Sequence, residues 1–121
     1  QSYINVCHRF TSISATLEIG NGNFIAAGCC VNNDSVVGYH NILNTGALID
    51  HDVKIGSYNH IAPGSTICGE VRIGDNVFLG AGTVVLPGIS IASNVIVGAG
   101  SVVTKDITKR GVYVGSPARL I

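Results

Sequence analysis

Two acids flank a histidine at Asp50-His51-Asp52, and a second histidine stands at His60. An imidazole titrates near neutral pH, so His51 can take a proton from a reacting group. Gly69 follows His51 by eighteen residues, which is one full coil in the repeat described next. The pattern therefore offers a base with a backbone amide donor one coil away.

The elements that must position these groups show in a period of six. From Ile13, every sixth residue to Val103 is aliphatic: Ile19, Ile25, Val31 and so on through Ile49, Ile55, Ile61 and Ile67. At 46% hydrophobic content, such an unbroken run has a chance probability on the order of 10⁻⁵. The residue after the aliphatic one is often Gly, Asn or Asp, types that tolerate tight or left-handed backbone, so the corner is expected there. A six-residue period suits a short strand plus a corner. Three hexads close one coil, and the chain is read as all-β, a parallel β-helix of about five coils. The expected layout is a lead-in over residues 1–12 and the β-helix over 13–121. The aliphatic residue and the one two places before it point inward.

The eighteen-residue coil lets the outer faces be read. Phe24, Ile42, His60, Phe78 and Ile96 form an apolar column broken by one histidine, and Cys30, Leu48, Thr66, Val84 and Val102 form a second apolar column. Val36, Lys54, Arg72, Ser90 and Thr108 form a mostly polar third. Two apolar faces predict self-association, with a homotrimer expected; the alternative is a monomer whose apolar faces meet another domain. At the corners, His51, Gly69 and Pro87 stack in one column, and Pro63, Ala81, Ala99 and Pro117 in another. The second column is a smooth slot for a narrow, extended ligand. His51 and His60 fall on different sides of the prism, so they can share a site only across a subunit boundary.

Composition excludes several classes. The formal net charge is zero and only 12% of residues are charged, which offers no electrostatic footprint for nucleic acid or an anionic membrane. No apolar run reaches transmembrane length and no signal peptide opens the chain. Cys7, Cys29, Cys30 and Cys68 are read as reduced thiols of a cytoplasmic protein, with Cys7 and Cys29 turned inward. No CxxC suggests a structural zinc site. The chain contains no Met, even at position 1, which fits a processed chain or a piece of a longer one.

From about residue 10 the chain resembles the hexapeptide-repeat acyltransferases. The stretch NTGALIDHDVKIGSYNHIAPGSTICGEVRIGDNVFLGAGTVV, with VGAGSVVTKDI and GVYVGSPAR, is similar to the branch that acetylates bacterial sugars. This branch includes the acetyltransferases for nucleotide-linked 4-amino sugars and the sialic acid O-acetyltransferases. The resemblance implies a left-handed helix, acetyl-CoA as acyl donor, no metal, a small-molecule sugar acceptor, and direct transfer to its amine or hydroxyl. It assigns the general base to His51, its orienting acid to Asp52, the acceptor neighbour to Asn44, acetyl-CoA contact to His60, and a thioester-oxygen donor to Gly69. The turn from Gly115 to Ala118 helps enclose coenzyme A. The slot residues Ala81, Ala99 and Pro117 and the cation Arg119 are taken as further acetyl-CoA contacts, with Lys105, Lys109 and Arg110 as other candidates for its phosphates.

Members of that branch carry an N-terminal α/β domain for the sugar nucleotide, and no such pattern precedes the hexads here. A catalytically inactive remnant that still binds acetyl-CoA is therefore an alternative. A trimeric metalloenzyme on the same prism is a weaker one: His40, His51 and His60 suggest it, but the close H-x4-H pair of the γ-class carbonic anhydrases is missing. The paired threonines of an ice-binding face are also missing.

Overall fold

The computed structural model describes residues 4–121. Among the described residues nineteen short strands, β1 to β19 in chain order, form three sheets, one per face of a triangular solenoid. The first face holds β1 (Val6–Cys7), β4 (Phe24–Ile25), β7 (Ile42–Leu43), β10 (His60–Ile61), β13 (Phe78–Leu79), β16 (Val95–Val97), β18 (Gly111–Gly115) and β19 (Ala118–Leu120). The second holds β2 (Ser12–Ile13), β5 (Cys30–Val31), β8 (Leu48–Ile49), β11 (Thr66–Ile67), β14 (Val84–Val85) and β17 (Val102–Val103). The third holds β3 (Glu18–Ile19), β6 (Val36–Val37), β9 (Lys54–Ile55), β12 (Arg72–Ile73) and β15 (Ser90–Ile91). Pairing is parallel between successive coils, as in His60 with Ile42 and Phe78, and Arg72 with Lys54. The solenoid makes about six turns rather than the expected five, because Val6–Cys7, ahead of the first hexad, already pairs with Phe24–Ile25.

In each two-residue strand the second side chain is turned in, and the hexad aliphatics from Ile25 to Val103 are buried. Cys29 is buried as expected; Cys7 is exposed, since it lies on the first described turn. All four thiols are free. The second inward position often carries a polar group, and the structure satisfies each one. Asn41 Nδ2 donates to Asn23 Oδ1 (3.0 Å) and to the Gly56 carbonyl (2.8 Å), while Asn41 Oδ1 accepts from Asn59 N (2.9 Å). Repeated each coil, this ladder ties corner backbone to the core. Among the described residues no buried side-chain polar atom lacks a partner, as a low-dielectric interior demands.

The corners differ from expectation in one respect. From Ile19 to Val97, left-handed backbone falls three residues after the aliphatic, not one. The corner between the first and second faces uses Gly28, Gly46, Gly64, Gly82 and Gly100 there; the corner between the second and third uses Asp34, Asp52, Glu70 and Gly88. The glycine directly after the aliphatic is required for another reason. A Cβ on Gly38 would lie 2.6 Å from the Gly56 carbonyl oxygen of the next coil, inside any tolerable contact. Close stacking, not φ, selects glycine at that position.

The last coil is shorter. Ile91 bridges to Ile107, and Val97 pairs with Tyr113, a spacing of sixteen residues. The polar column on the third face therefore ends with Asp106 in register, whose carboxylate accepts from Ser90 N (2.9 Å), and not with Thr108. β18 then turns back into β19 as an antiparallel pair.

Candidate active site

The corner between the second and third faces carries Asp50, His51 and Asp52. His51 Nδ1 lies 2.9 Å from Asp52 Oδ2. The carboxylate can only accept, so Nδ1 bears the proton and Nε2 keeps its lone pair. The Asp52 hydrogen bond is the main cause that raises the His51 pKa, with the charges of Asp50, Asp52 and Glu70 adding to it. Asp52 reaches its neighbour because it adopts the left-handed conformation, φ 56°. Asp50 points elsewhere: Asn32 Nδ2 donates to its carboxylate at 3.0 Å and holds it below the usual carboxylate range.

Gly69 lies one coil above His51. A Cβ built on Gly69 would meet His51 Nε2 at 2.6 Å and Cε1 at 2.8 Å, so the imidazole rests on the bare glycine. The Gly69 carbonyl accepts from Gly88 N (2.9 Å), whereas the Gly69 N–H has no acceptor among the described residues. The free lone pair of Nε2 and an unpaired amide thus come together at one corner. They face a hollow of about 300 Å³ bounded also by Asp50, Glu70 and Pro87. His51 is about half exposed, with side-chain exposure of 51%, so its ring is open to a reactant.

His60 lies elsewhere, on the first face. Asn44 Oδ1 accepts from Thr45 N (2.8 Å), which turns the Asn44 amide nitrogen toward His60 Nε2 at 3.2 Å. His60 Nε2 is then the acceptor and Nδ1 carries the proton. The ring also meets Phe78 edge-on, 5.1 Å between centroids. Asn44 therefore sits with His60 and not with His51 in a single chain, the second face lying between them. The apolar column around His60 is open: Phe24, Ile42, Phe78 and Ile96 are 38–48% exposed.

Ala81 and Ala99 are exposed at the corner between the first and second faces, stacked above Pro63 by Gly82 N to Pro63 O (3.0 Å) and Gly100 N to Ala81 O (2.8 Å). Pro117 does not continue this column. The shortened last coil carries it past that register into the turn between β18 and β19. There it lines a small hollow with Thr104, Lys105 and Arg119. The C-terminal cations also separate: Lys105 and Arg119 share that hollow, whereas Arg110 lines another beside His60 and Phe78. Within one chain His40, His51 and His60 occupy separate places, and among the described residues no three His, Cys, Asp or Glu side chains converge as metal ligands.

Comparison with known proteins places this geometry. Residues 70–105 match the family model for the bacterial transferase hexapeptide (six repeats). Over this stretch the repeat is that of the hexapeptide family. No curated protein sequence matches it. Among solved structures, this hexapeptide-repeat chain superimposes on PerB from Caulobacter crescentus, in complex with CoA and GDP-perosamine, with a TM-score of 0.98 at 38% identity over 99% of this chain and 58% of that one. The acetyltransferase domain of PglB from Neisseria gonorrhoeae, in complex with acetyl coenzyme A, gives 0.96 at 30% identity over 99% and 58%. WeeI from Acinetobacter baumannii gives 0.91 at 31% identity over 95% and 57%. The chain thus spans a little under three-fifths of the length of these relatives. Its structural likeness is to acyltransferases that act on sugars.

The structure adds a residue that the sequence reading passed over. Glu70 stands eighteen residues after Asp52, in the same left-handed position, and flanks the His51 hollow. The coil length alone would have found it.

Proposed function

We propose that this chain is the acetyl-CoA-dependent acyl-transfer part of a bacterial sugar acetyltransferase, with His51 as general base. The observation that carries the proposal is the meeting of His51 Nε2 with the unpaired Gly69 amide on one corner, the His51 tautomer being set by Asp52. The acceptor amine or hydroxyl loses its proton to Nε2 as its N–C or O–C bond to the acetyl carbonyl forms. The thioester C–S bond then breaks, and protonated His51 returns the proton to the leaving sulfur. General-base action of this kind contributes about 10²–10⁴ in rate. The Gly69 N–H donates to the carbonyl oxygen as charge develops there, a contribution of about 3 kcal/mol.

The donor's contacts fit what the chain presents: small exposed side chains at Ala81 and Ala99, a protonated Nδ1 on His60, and the cations Lys105 and Arg119 near Pro117. These lie away from His51 in one chain, so the complete site needs a second copy, and a homotrimer built on the two apolar faces supplies it. The PerB structure holds CoA and GDP-perosamine, which supports a nucleotide-linked amino sugar as acceptor. An inactive remnant is disfavoured by the intact His51–Asp52–Gly69 geometry.

The test is His51→Ala. Its thermal midpoint should match the wild type because His51 lies outside the core, acetyl-CoA should bind with unchanged affinity, and turnover on an amino-sugar acceptor should fall at least about 10²-fold. Full activity in this variant would remove the assignment.

A further inference from the structure

We propose that Glu70 makes the His51 corner selective for an amine over a hydroxyl, so that an amino sugar is acetylated on nitrogen. This rests on the acyl-transfer reading above and names the acceptor group of that same site. Glu70 is fixed beside His51 by the backbone. Its N–H donates to the His51 carbonyl (3.0 Å), and the imidazole lies against the preceding residue, Gly69. Glu70 is left-handed, φ 63°, a conformation uncommon for so long a side chain. One coil above, the same corner position is Gly88, and one coil below it is Asp52, both better suited to that backbone. An uncommon conformation held at a reactive corner points to a task for the side chain.

Hydrogen bonding defines the task. Asp50 receives Asn32 Nδ2 (3.0 Å), and Asp52 receives His51 Nδ1 (2.9 Å). Glu70 lines the same hollow, and among the described residues its carboxylate forms no ion pair, the one such pair being His51–Asp52. Lys54 and Arg72 border the adjoining hollow with Asp34, Asp52 and Glu70; they offset charge there without reaching pairing distance. The corner therefore presents two acceptors, His51 Nε2 and the Glu70 carboxylate, and one donor, the Gly69 N–H. The donor serves the thioester oxygen, which leaves both acceptors for the attacking group. A neutral primary amine has two N–H donors and one lone pair. One N–H meets Nε2, the other meets Glu70, and the lone pair is free for the acetyl carbon. A hydroxyl has one donor and two lone pairs. Its proton goes to Nε2, and Glu70 then faces a lone pair. A site that hydrogen-bonds a group discriminates against an analogue that cannot return the bond. Glu70 takes no proton in this scheme. His51 carries the one lost by the amine to the leaving sulfur, and the product amide keeps the N–H that Glu70 holds.

The experiment uses two acceptors, the same sugar with an amine or a hydroxyl at the reacting carbon, at a pH above the amine's pKa. An amine is the better nucleophile on any enzyme, so the readout is the change in preference between proteins. The hydroxyl sugar is also run as a competitive inhibitor of the amine, so its binding is read where its turnover is slow. In Glu70→Gln and Glu70→Ala the amine-over-hydroxyl ratio of kcat/KM should shrink at least about tenfold, the value of one charge-assisted hydrogen bond. Amine KM should rise relative to the hydroxyl inhibition constant, acetyl-CoA KM should hold, and Glu70→Asp should keep part of the preference. A ratio unchanged in both variants would overturn the proposal. So would equal losses on the two acceptors, since Glu70 would then only support His51, or a shift found in Asp50→Asn and not in Glu70→Gln. Absence of turnover on either acceptor by the wild type would instead remove the acyl-transfer reading, and this proposal with it.

Discussion

Gly69→Ala separates the shape of the His51 corner from its stability. Gly69 has no left-handed φ, so alanine adopts its backbone without strain. A Gly→Ala change at such a position adds about 0.4–1 kcal/mol by restricting the unfolded chain. The new methyl would sit 2.6 Å from His51 Nε2 and 2.8 Å from Cε1, roughly 1 Å inside ordinary contact. The backbone at Gly69 is buried and tied to Gly88, whereas His51 is half exposed, so the ring is what moves. A displacement of about 1 Å at a reacting centre costs on the order of 10²-fold in rate. The variant should therefore melt at or above the wild-type temperature while turnover falls about 10²-fold or more. The His51 imidazole, followed by NMR, should titrate lower than in the wild type, because a ring pushed aside loses the Asp52 hydrogen bond that raises its pKa. Wild-type turnover and an unmoved titration in a folded Gly69→Ala protein would refute the argument that bare glycine seats the base.

Asp52→Asn removes the main cause of the raised His51 pKa. In the proposed mechanism the neutral imidazole is the active form, so the wild-type rate should climb with pH through a midpoint above the ordinary histidine value of about 6.5, and the variant's midpoint should move down toward it; an unchanged profile on a hydroxyl acceptor would count against the pair. Phe78→Asp places a charge in the exposed apolar column beside His60, and an unpaired charge buried at an interface is strongly destabilising; light scattering should show the wild-type trimer and a dissociated variant, and a variant that stays trimeric would place the interface elsewhere. Ala81→Phe and Ala99→Phe put a ring on the exposed corner column; calorimetry should show at least tenfold weaker acetyl-CoA binding with the fold kept, and unchanged binding in both would move the donor off that corner.

The repeat was legible because a two-residue strand and its corner bury one aliphatic side chain every six residues. A periodic burial requirement leaves a periodic sequence, so Ile49 and Ile67 announce their faces, and His51 and Gly69 announce their stacking, with no structure in hand. The reading weakened where the cause was not burial. The coil count was short by a turn because Val6–Cys7 precedes the aliphatic run yet still meets Phe24–Ile25. Pro117 was misplaced because an eighteen-residue rule cannot foresee a sixteen-residue last coil, which Ile107 and Tyr113 set by filling the core two residues early. The role of corner glycines was misread as a matter of φ, whereas Gly38 and its equivalents answer to the carbonyl of the next coil. The sequence by itself determined the solenoid and the His51 corner, because both repeat in one dimension. Only the tertiary structure decided that Asn44 belongs to His60, that Asp52 turns to His51, and that Glu70 flanks the same hollow. Those facts depend on side-chain direction and on distances between coils, which no period records.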